Sequence, residues 1–195
     1  MAEHFFAYLA RMKYIGRWGL MRSTIPENLQ EHSHMTAVLA HALAVIRRDV
    51  LGGDADPDAA AVAALFHDAP EILTGDLPTP VKYHSPEIRA AYRRVEEQSA
   101  QTLLSMLPES MRPAYEPWLR EEYDPELRAL VKAADKLSAY LKMRRGTAGR
   151  QRRIPPRRGT DTGRAPGYGA ARGGVFYGSL PAWIRPHTGR ITGIS

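Results

Sequence analysis

The chain has 195 residues and no cysteine, with a formal net charge of +6 from 27 Lys and Arg against 21 Asp and Glu. That length suits one domain, or one domain with an appendage, and the missing thiols exclude disulfides, thiolate zinc sites and a cysteine nucleophile, so any metal must be held by His, Asp or Glu. No apolar run reaches the ~18 residues that cross a bilayer, and the opening MAEHFFAYLARMKY lacks the basic start, apolar core and cleavage site of a secretory signal, so no membrane partner is expected and the cytoplasm is the expected compartment.

Residues 3–13 read as a short amphipathic helix with Phe5, Phe6, Leu9 and Met12 apolar. Residues 14–27, with Gly16, Gly19 and Pro26, read as a loop. Asn28 is a predicted N-cap with Glu31 as its capping-box partner, and a helix follows to about Leu51, ended by Gly52-Gly53. Asp56-Pro57, a cap followed by proline at the first helical position, opens the next helix, AAAVAALFHDAPE, which Pro70 bends or breaks. One Gly and two Pro in TGDLPTPVKY predict a loop over 74–83. Ser85-Pro86 opens a long helix to about Leu107, and Asp124-Pro125 another to about Met143. No stretch of 1–143 sustains a period of two, so the fold class is all-α.

The charge is unevenly distributed. Residues 1–143 carry 16 Lys and Arg against 20 Asp and Glu, a net −4; residues 144–195 carry 11 against 1, a net +10, and hold 11 of the 16 glycines. The helical part therefore gives no sign of polyanion binding, and nucleic acid is not an expected partner. The two parts read as a helical domain, 1–143, and a basic low-complexity tail, 144–195.

Three polar placements within the helices stand out. His32 begins a stripe that continues through Met35, Leu39, Leu43, Ile46 and Val50. Alone, it reads as a hydrogen-bonded core histidine. In the next helix Val62, Leu65, Phe66 and Ala69 form one face, while Ala60, Ala64, His67, Asp68 and Glu71 form the other. Alanines there allow a neighbouring helix to approach closely, although a solvated polar face is the plainer alternative. Asp135 lies in the stripe of Leu127, Val131, Ala134 and Ser138, where a carboxylate is expensive unless paired or bound to metal. Lys132, Lys136 or Lys142 could supply a salt bridge. A single divalent cation would account for all three placements. Two imidazoles and two carboxylates suit Mn, Co, Fe or Zn over Ca.

The order His32, His67-Asp68, Asp135 resembles the metal-binding pattern of HD-domain phosphohydrolases. FFAYLARMKYIGRWGLMR, ENLQEHS, FHDAPEILTGDLPTPVKY and LVKAADKLSAYLK further resemble the bacterial 5′-deoxynucleotidases of that superfamily, nearly continuously over residues 3–142. The resemblance implies a helical bundle around a metal site that hydrolyses deoxyribonucleoside 5′-monophosphates to deoxyribonucleosides and phosphate. It implies His32, His67, Asp68 and Asp135 as ligands of Co or Mn, with Mg, Fe or Zn as alternatives. It also implies Arg17 and Trp18 as phosphate-binding residues, Asp76, Leu77, Pro78 and Thr79 as the nucleotide loop, and a homodimer. Asp68 is assigned a catalytic and substrate-binding part besides metal ligation. Glu71 is assigned to orienting or deprotonating the water, or to protonating the leaving oxygen, the alternative being a residue that orients His67. His4, His34, His41, His84 and His187 match no ligand position and read as surface or structural.

An HD phosphohydrolase acting on another phosphomonoester, and an inactive remnant with a nucleic-acid-binding tail, are the competing functions. The resemblance ends near Met143, where the family continues with helices and this chain with an Arg/Gly/Pro tract. That tract reads as a disordered basic tail, a linker, or the product of a shifted reading frame. The displaced frame after Met143 permits helix-like strings resembling the family's C-terminal region.

Overall fold

The computed structural model describes the backbone of residues 4–20 and 25–151 and the side chains as far as residue 144. Helix α1, His4–Leu9, runs into a 3₁₀ turn, Ala10–Tyr14. Phe5 and Met12 are buried, but Phe6 is exposed, so the predicted apolar face is narrower than its composition implies. The loop that follows is tied to the start of the next helix by Leu29 N–H donating to Ile15 O (2.9 Å) and Arg17 N–H to Glu27 O (3.0 Å).

Helix α2, Leu29–Val45, begins with the expected capping box: the Asn28 side chain accepts from Glu31 N–H, and the Glu31 carboxylate accepts from Asn28 N–H. Its buried residues are Leu29, His32, Ser33, Thr36, Ala37, Ala40, Leu43 and Ala44. His32 and Leu43 of the expected stripe are among them, but Ile46 and Val50 are exposed. After Val45 the chain widens into a π turn, Ile46–Val50, closed by Leu51 N–H on Ile46 O at 3.1 Å. The extra residue in that turn rotates the later side chains away from the stripe.

Helix α3, Pro57–Phe66, has the expected Asp56 cap, which accepts from Asp58 and Ala59 N–H. Its Ala60, Ala63 and Ala64 are fully buried while Leu65 is 43% exposed. The alanine side is thus the face packed against α2 and the last helix, while Phe66 on the bulkier side packs against a second core. It meets Ala37, Ala40 and Ala44 of α2 and Leu130, Ala133 and Ala134 of the last helix in one core. Small side chains let helix axes approach closely, which brings the His32 and His67 backbones near each other.

Helix α4, Glu71–Thr74, and helix α5, Thr79–Lys82, each span one turn. The second replaces part of the loop predicted over 74–83, because prolines at its start suit a first helical turn. Helix α6, Pro86–Ser105, starts from the Ser85 cap (Ile88 N–H to Oγ, 3.3 Å). Helix α7, Arg112–Leu119, falls where the sequence carried no helical assignment, its pattern interrupted by Pro113 and Pro117. Leu103, Leu104 and Leu107 from the end of α6, with Leu119, form a second core with Phe5, Leu29 and Ile72. Helix α8, Pro125–Gln151, is capped by Asp124 (Leu127 N–H to Oδ1, 2.8 Å). Its backbone continues past the expected end at Met143, since extending a nucleated helix costs little. The remaining expectations for the 144–195 tail fall outside the described residues, as does His187.

The described residues contain one isolated β-bridge, Gly16 with Asn28, and no strand, in keeping with the all-α expectation. Among them, no helix is long and apolar enough to cross a membrane.

Candidate functional site

Three helices deliver the polar groups. His32 sits in the first turn of α2, fully buried, and His67 closes α3. Asp135 sits midway along α8, its side chain 37% exposed. The ligating atoms of His32, His67 and Asp135 all lie within 4.8 Å of one another. His32 Nε2 is 3.1 Å from Asp135 Oδ1 and 3.6 Å from Asp68 Oδ2, and His67 Nε2 is 3.2 Å from Asp68 Oδ2. Asp135 therefore faces an imidazole, not the lysine a simple salt bridge would have supplied.

The imidazoles are oriented from behind. His67 Nδ1 donates to Ala64 O at 2.7 Å, which turns Nε2 toward the cluster. That Nε2 is buried, with the Asp68 carboxylate 3.2 Å away. Ser138 Oγ lies 3.4 Å from His32 Nδ1, and Thr36 Oγ1 lies 3.4 Å from His32 Nε2. Two imidazoles beside two carboxylates are the donor set of a borderline divalent cation.

The charges are strongly coupled. Burial alone would lower the His67 pKa, but the adjacent Asp68 carboxylate outweighs it, with help from Asp135, and raises it to about 9. Burial pushes Asp68 up, yet His67, His32 and Arg17 hold it well below the usual carboxylate range. Asp135 is likewise lowered, its burial outweighed by the His32 hydrogen bond and the His67 charge.

Glu71 opens α4, 8% exposed, and its Oε2 is buried without a hydrogen bond. Burial first, then the negative charges of Asp68 and Asp76, raise its pKa to about 9 against the opposing pull of Lys82 and Arg17. In the metal-free protein these surroundings favour the protonated carboxyl, which can donate.

Arg17 Nη1 donates to Asp68 Oδ2 at 3.0 Å, and Arg17 Nε lies 3.8 Å from Glu27 Oε2, buried and without a hydrogen bond. Trp18 takes φ of +69°, a left-handed conformation that a bulky residue adopts only under strain, and its Nε1 donates to Glu27 Oε2 at 2.6 Å. Glu27 was not singled out in the sequence, yet it fixes both neighbours of the site. Its only signal was position, a carboxylate just before the Asn28 cap.

Beside the cluster opens a cleft of about 550 Å³. His67, Asp68, Glu71 and Asp135 line one end, and Lys82, Tyr92, Arg93, Glu96, Arg128 and Lys132 line the rest. Arg17, Trp18 and the loop of Asp76, Leu77, Pro78 and Thr79 lie outside its lining. Of that loop, Asp76 is near enough to act on the Glu71 charge. Thr36, Ser138, Lys82, Tyr92 and Glu96 are site neighbours that no sequence spacing indicated. His4, His34, His41 and His84 are exposed and stand apart.

A family model described as 5′-deoxynucleotidase YfbR-like matches residues 4–150. The 5′-deoxynucleotidase of Vibrio cholerae is 51% identical over 141 residues, covering 72% of this chain and 73% of that protein. The 5′-deoxynucleotidase YfbR of Shigella boydii is 48% identical over 141 residues, covering 72% and 71% respectively. Among solved structures, an HD-domain phosphohydrolase from Listeria innocua aligns with a TM-score of 0.61 at 26% identity, covering 69% of this chain but 64%, under two thirds, of its own length. The cyanophage S-2L HD phosphohydrolase DatZ, bound to dA and one catalytic Zn²⁺ ion, aligns with a TM-score of 0.50 at 26% identity, covering 75% of this chain and 82% of its own.

Proposed function

Because the chain belongs to the YfbR-like 5′-deoxynucleotidase family, we propose that it hydrolyses deoxyribonucleoside 5′-monophosphates to deoxyribonucleosides and phosphate, with His32, His67, Asp68 and Asp135 holding a divalent cation. The observation that carries this reading is the convergence of two imidazoles and two carboxylates: the ligating atoms of His32, His67 and Asp135 lie within 4.8 Å of one another, and Asp68 Oδ2 lies 3.6 Å from His32 Nε2 and 3.2 Å from His67 Nε2. When bound, such a cation supplies Lewis-acid charge to the phosphoryl group and to the attacking water.

The chain's own residues supply the rest. Arg17 is held by Asp68 and lies beside Glu27, and its guanidinium, whose Nε makes no hydrogen bond, offers a charged donor to a phosphate oxygen. Trp18, fixed through Glu27, orients that phosphate. In the metal-free protein, burial and the charges of Asp68 and Asp76 favour the protonated form of Glu71, which supports a part in protonating the leaving O5′ as the P–O bond breaks. Asp76, Leu77, Pro78 and Thr79 form the wall against the sugar. A wall that leaves a 2′-hydroxyl clashing or unpaired disfavours ribose.

The metal we propose is Co or Mn, with Mg, Fe and Zn as the comparisons to make. DatZ, the dA-bound relative, carries zinc. A homodimer acting in the cytoplasm on free nucleotides completes the reading.

The deciding experiment is phosphate release from a panel of dNMPs and NMPs, in EDTA and with each metal restored. Metal-dependent release from dNMPs in preference to NMPs is expected. Release that survives EDTA, or equal rates on ribonucleotides, would overturn the proposal.

A further inference from the structure

The loop over 75–78 joins two helices, α4 and α5, of four residues each. A single turn does not hold its own conformation in water, so both must be fixed by tertiary contacts. Ile72 of α4 is held in the second core, and both helices also meet one face of α6, where Tyr92 and Glu96 stand four residues apart and so lie side by side.

Tyr92 reaches the beginning of the loop. Its hydroxyl lies 3.3 Å from Thr74 Oγ1, and Thr74 Oγ1 donates to the Gly75 carbonyl at 3.1 Å. A threonine hydroxyl has one proton, here given to Gly75, so Tyr92 is the donor of the first pair. The Gly75 carbonyl belongs to the peptide that carries the N–H of Asp76. Gly75 sits at φ +75°, where a side chain would be strained, so this peptide has a defined and unusual orientation. Lys82, the last residue of α5, is fastened to the same face: Nζ pairs with Glu96 Oε1 at 2.5 Å and lies 4.6 Å from the centre of the Tyr92 ring. Both ends of the loop are thus tied to neighbouring residues of one helix. Lys82, Tyr92 and Glu96 also line the cleft that opens beside Glu71.

We propose that Tyr92, with Lys82 and Glu96, is a positioning device for the 75–78 loop: it sets the Gly75–Asp76 peptide and thereby the discrimination between deoxyribose and ribose. The proposal rests on the reading of Asp76, Leu77, Pro78 and Thr79 as the sugar-binding wall. Tyr92 touches no reacting atom. It acts through Thr74 and Gly75 on Asp76.

The test compares Tyr92→Phe, Glu96→Gln, Asp76→Ala and the Tyr92→Phe/Asp76→Ala double variant in the full-length metal-loaded chain. Phe keeps the ring and its contact with Lys82 and removes only the hydroxyl. Losing one hydrogen bond is expected to raise KM for dAMP about fivefold, with kcat within about twofold of wild type. The dAMP-to-AMP ratio of kcat/KM should fall, and amide hydrogen exchange over 75–77 should accelerate. Glu96→Gln, which weakens the other anchor, should act in the same direction. The double variant should be no worse than Asp76→Ala alone, because both changes act on one contact. If Asp76→Ala raises KM and lowers the ratio while Tyr92→Phe leaves KM, ratio and exchange as in wild type, the positioning role is overturned and the loop reading stands. If Asp76→Ala itself has no effect, the loop reading fails and takes the proposal with it. A Tyr92→Phe protein that loses stability and kcat with an unchanged ratio shows a merely structural tyrosine and also overturns the proposal.

Discussion

Replacing Ala64 by leucine tests whether the alanine face of α3 sets the geometry of the metal ligands. Ala64 is fully buried and packs in the same core as Ala37, Ala40 and Ala44 of α2. Leucine adds three carbons where two helices meet on small side chains. Overpacking of this kind costs about 1–3 kcal/mol, or roughly 3–10 °C in Tm for a chain of this size. The effect on the site is more diagnostic. The Ala64 carbonyl accepts from His67 Nδ1 at 2.7 Å, so any outward shift of α3 carries the imidazole with it. Metal–ligand distances tolerate only about ±0.2 Å, and disturbing the groups that orient a ligand typically costs 10–100-fold in affinity. We expect Ala64→Leu to bind Co or Zn 10–100-fold more weakly by titration calorimetry, with a lower Tm in EDTA. Leu65→Ala, on the 43% exposed face of the same helix, should retain metal affinity. An Ala64→Leu protein with wild-type Tm and metal affinity would refute the idea that close α2–α3 packing sets the site.

Three further outcomes are expected. Glu71→Ala should abolish turnover while metal remains bound; in Glu71→Gln, the metal-free protein should also change its pH dependence. Because the folded pKa of Glu71 is raised from 4.5 to about 9, its contribution to stability is fully present below about pH 4.5 and is lost as pH rises through about 9. The Gln variant lacks that loss, so its Tm in EDTA should gain on wild type between pH 5 and 9, and parallel melting curves across that range would contradict the buried-carboxyl assignment. Asp68→Ala should lose both metal and phosphate release, since Asp68 Oδ2 faces both imidazoles and Arg17; a fully active, metal-free variant would sink the metal-site assignment. Sequencing the gene across codon 143 should reveal an inserted or deleted base that accounts for the abrupt change to a +10 tail, and an intact frame would end the shifted-frame reading.

The helix starts were legible because capping is local. Asn28 with Glu31, Asp56 with Pro57, Ser85 with Pro86 and Asp124 with Pro125 each satisfy backbone N–H groups within three residues, and all four caps are present. Helix ends and faces were less legible. The π turn after Val45 has no local marker and carries Val50 to the surface. In α3 the alanine side, which the sequence reads as admitting a neighbouring helix, packs closely on α2, while Phe66 and Ala69 on the bulkier side join the second core. Helix α7 went unassigned because prolines hid its pattern, and α5 because its prolines were read as loop residues when they occupy a first turn.

The family resemblance singled out His32, His67, Asp68 and Asp135 as candidate ligands; by itself, the sequence determined the all-α class, the exclusion of thiol chemistry, the capped helix starts and the awkward polar placements at His32, His67-Asp68 and Asp135. These follow from composition, local hydrogen bonding and the cost of placing charge in an apolar stripe, all of which act over short stretches of chain. Only the tertiary structure decided that the Nε2 atoms of His32 and His67 face the same carboxylates and that Ala64 O and Ser138 orient the rings. It alone decided that Glu27 braces Trp18 beside Arg17 and that α6 fastens both ends of the 75–78 loop. Those relations join residues up to 106 positions apart. They depend on helix separation and rotation, which no local pattern encodes.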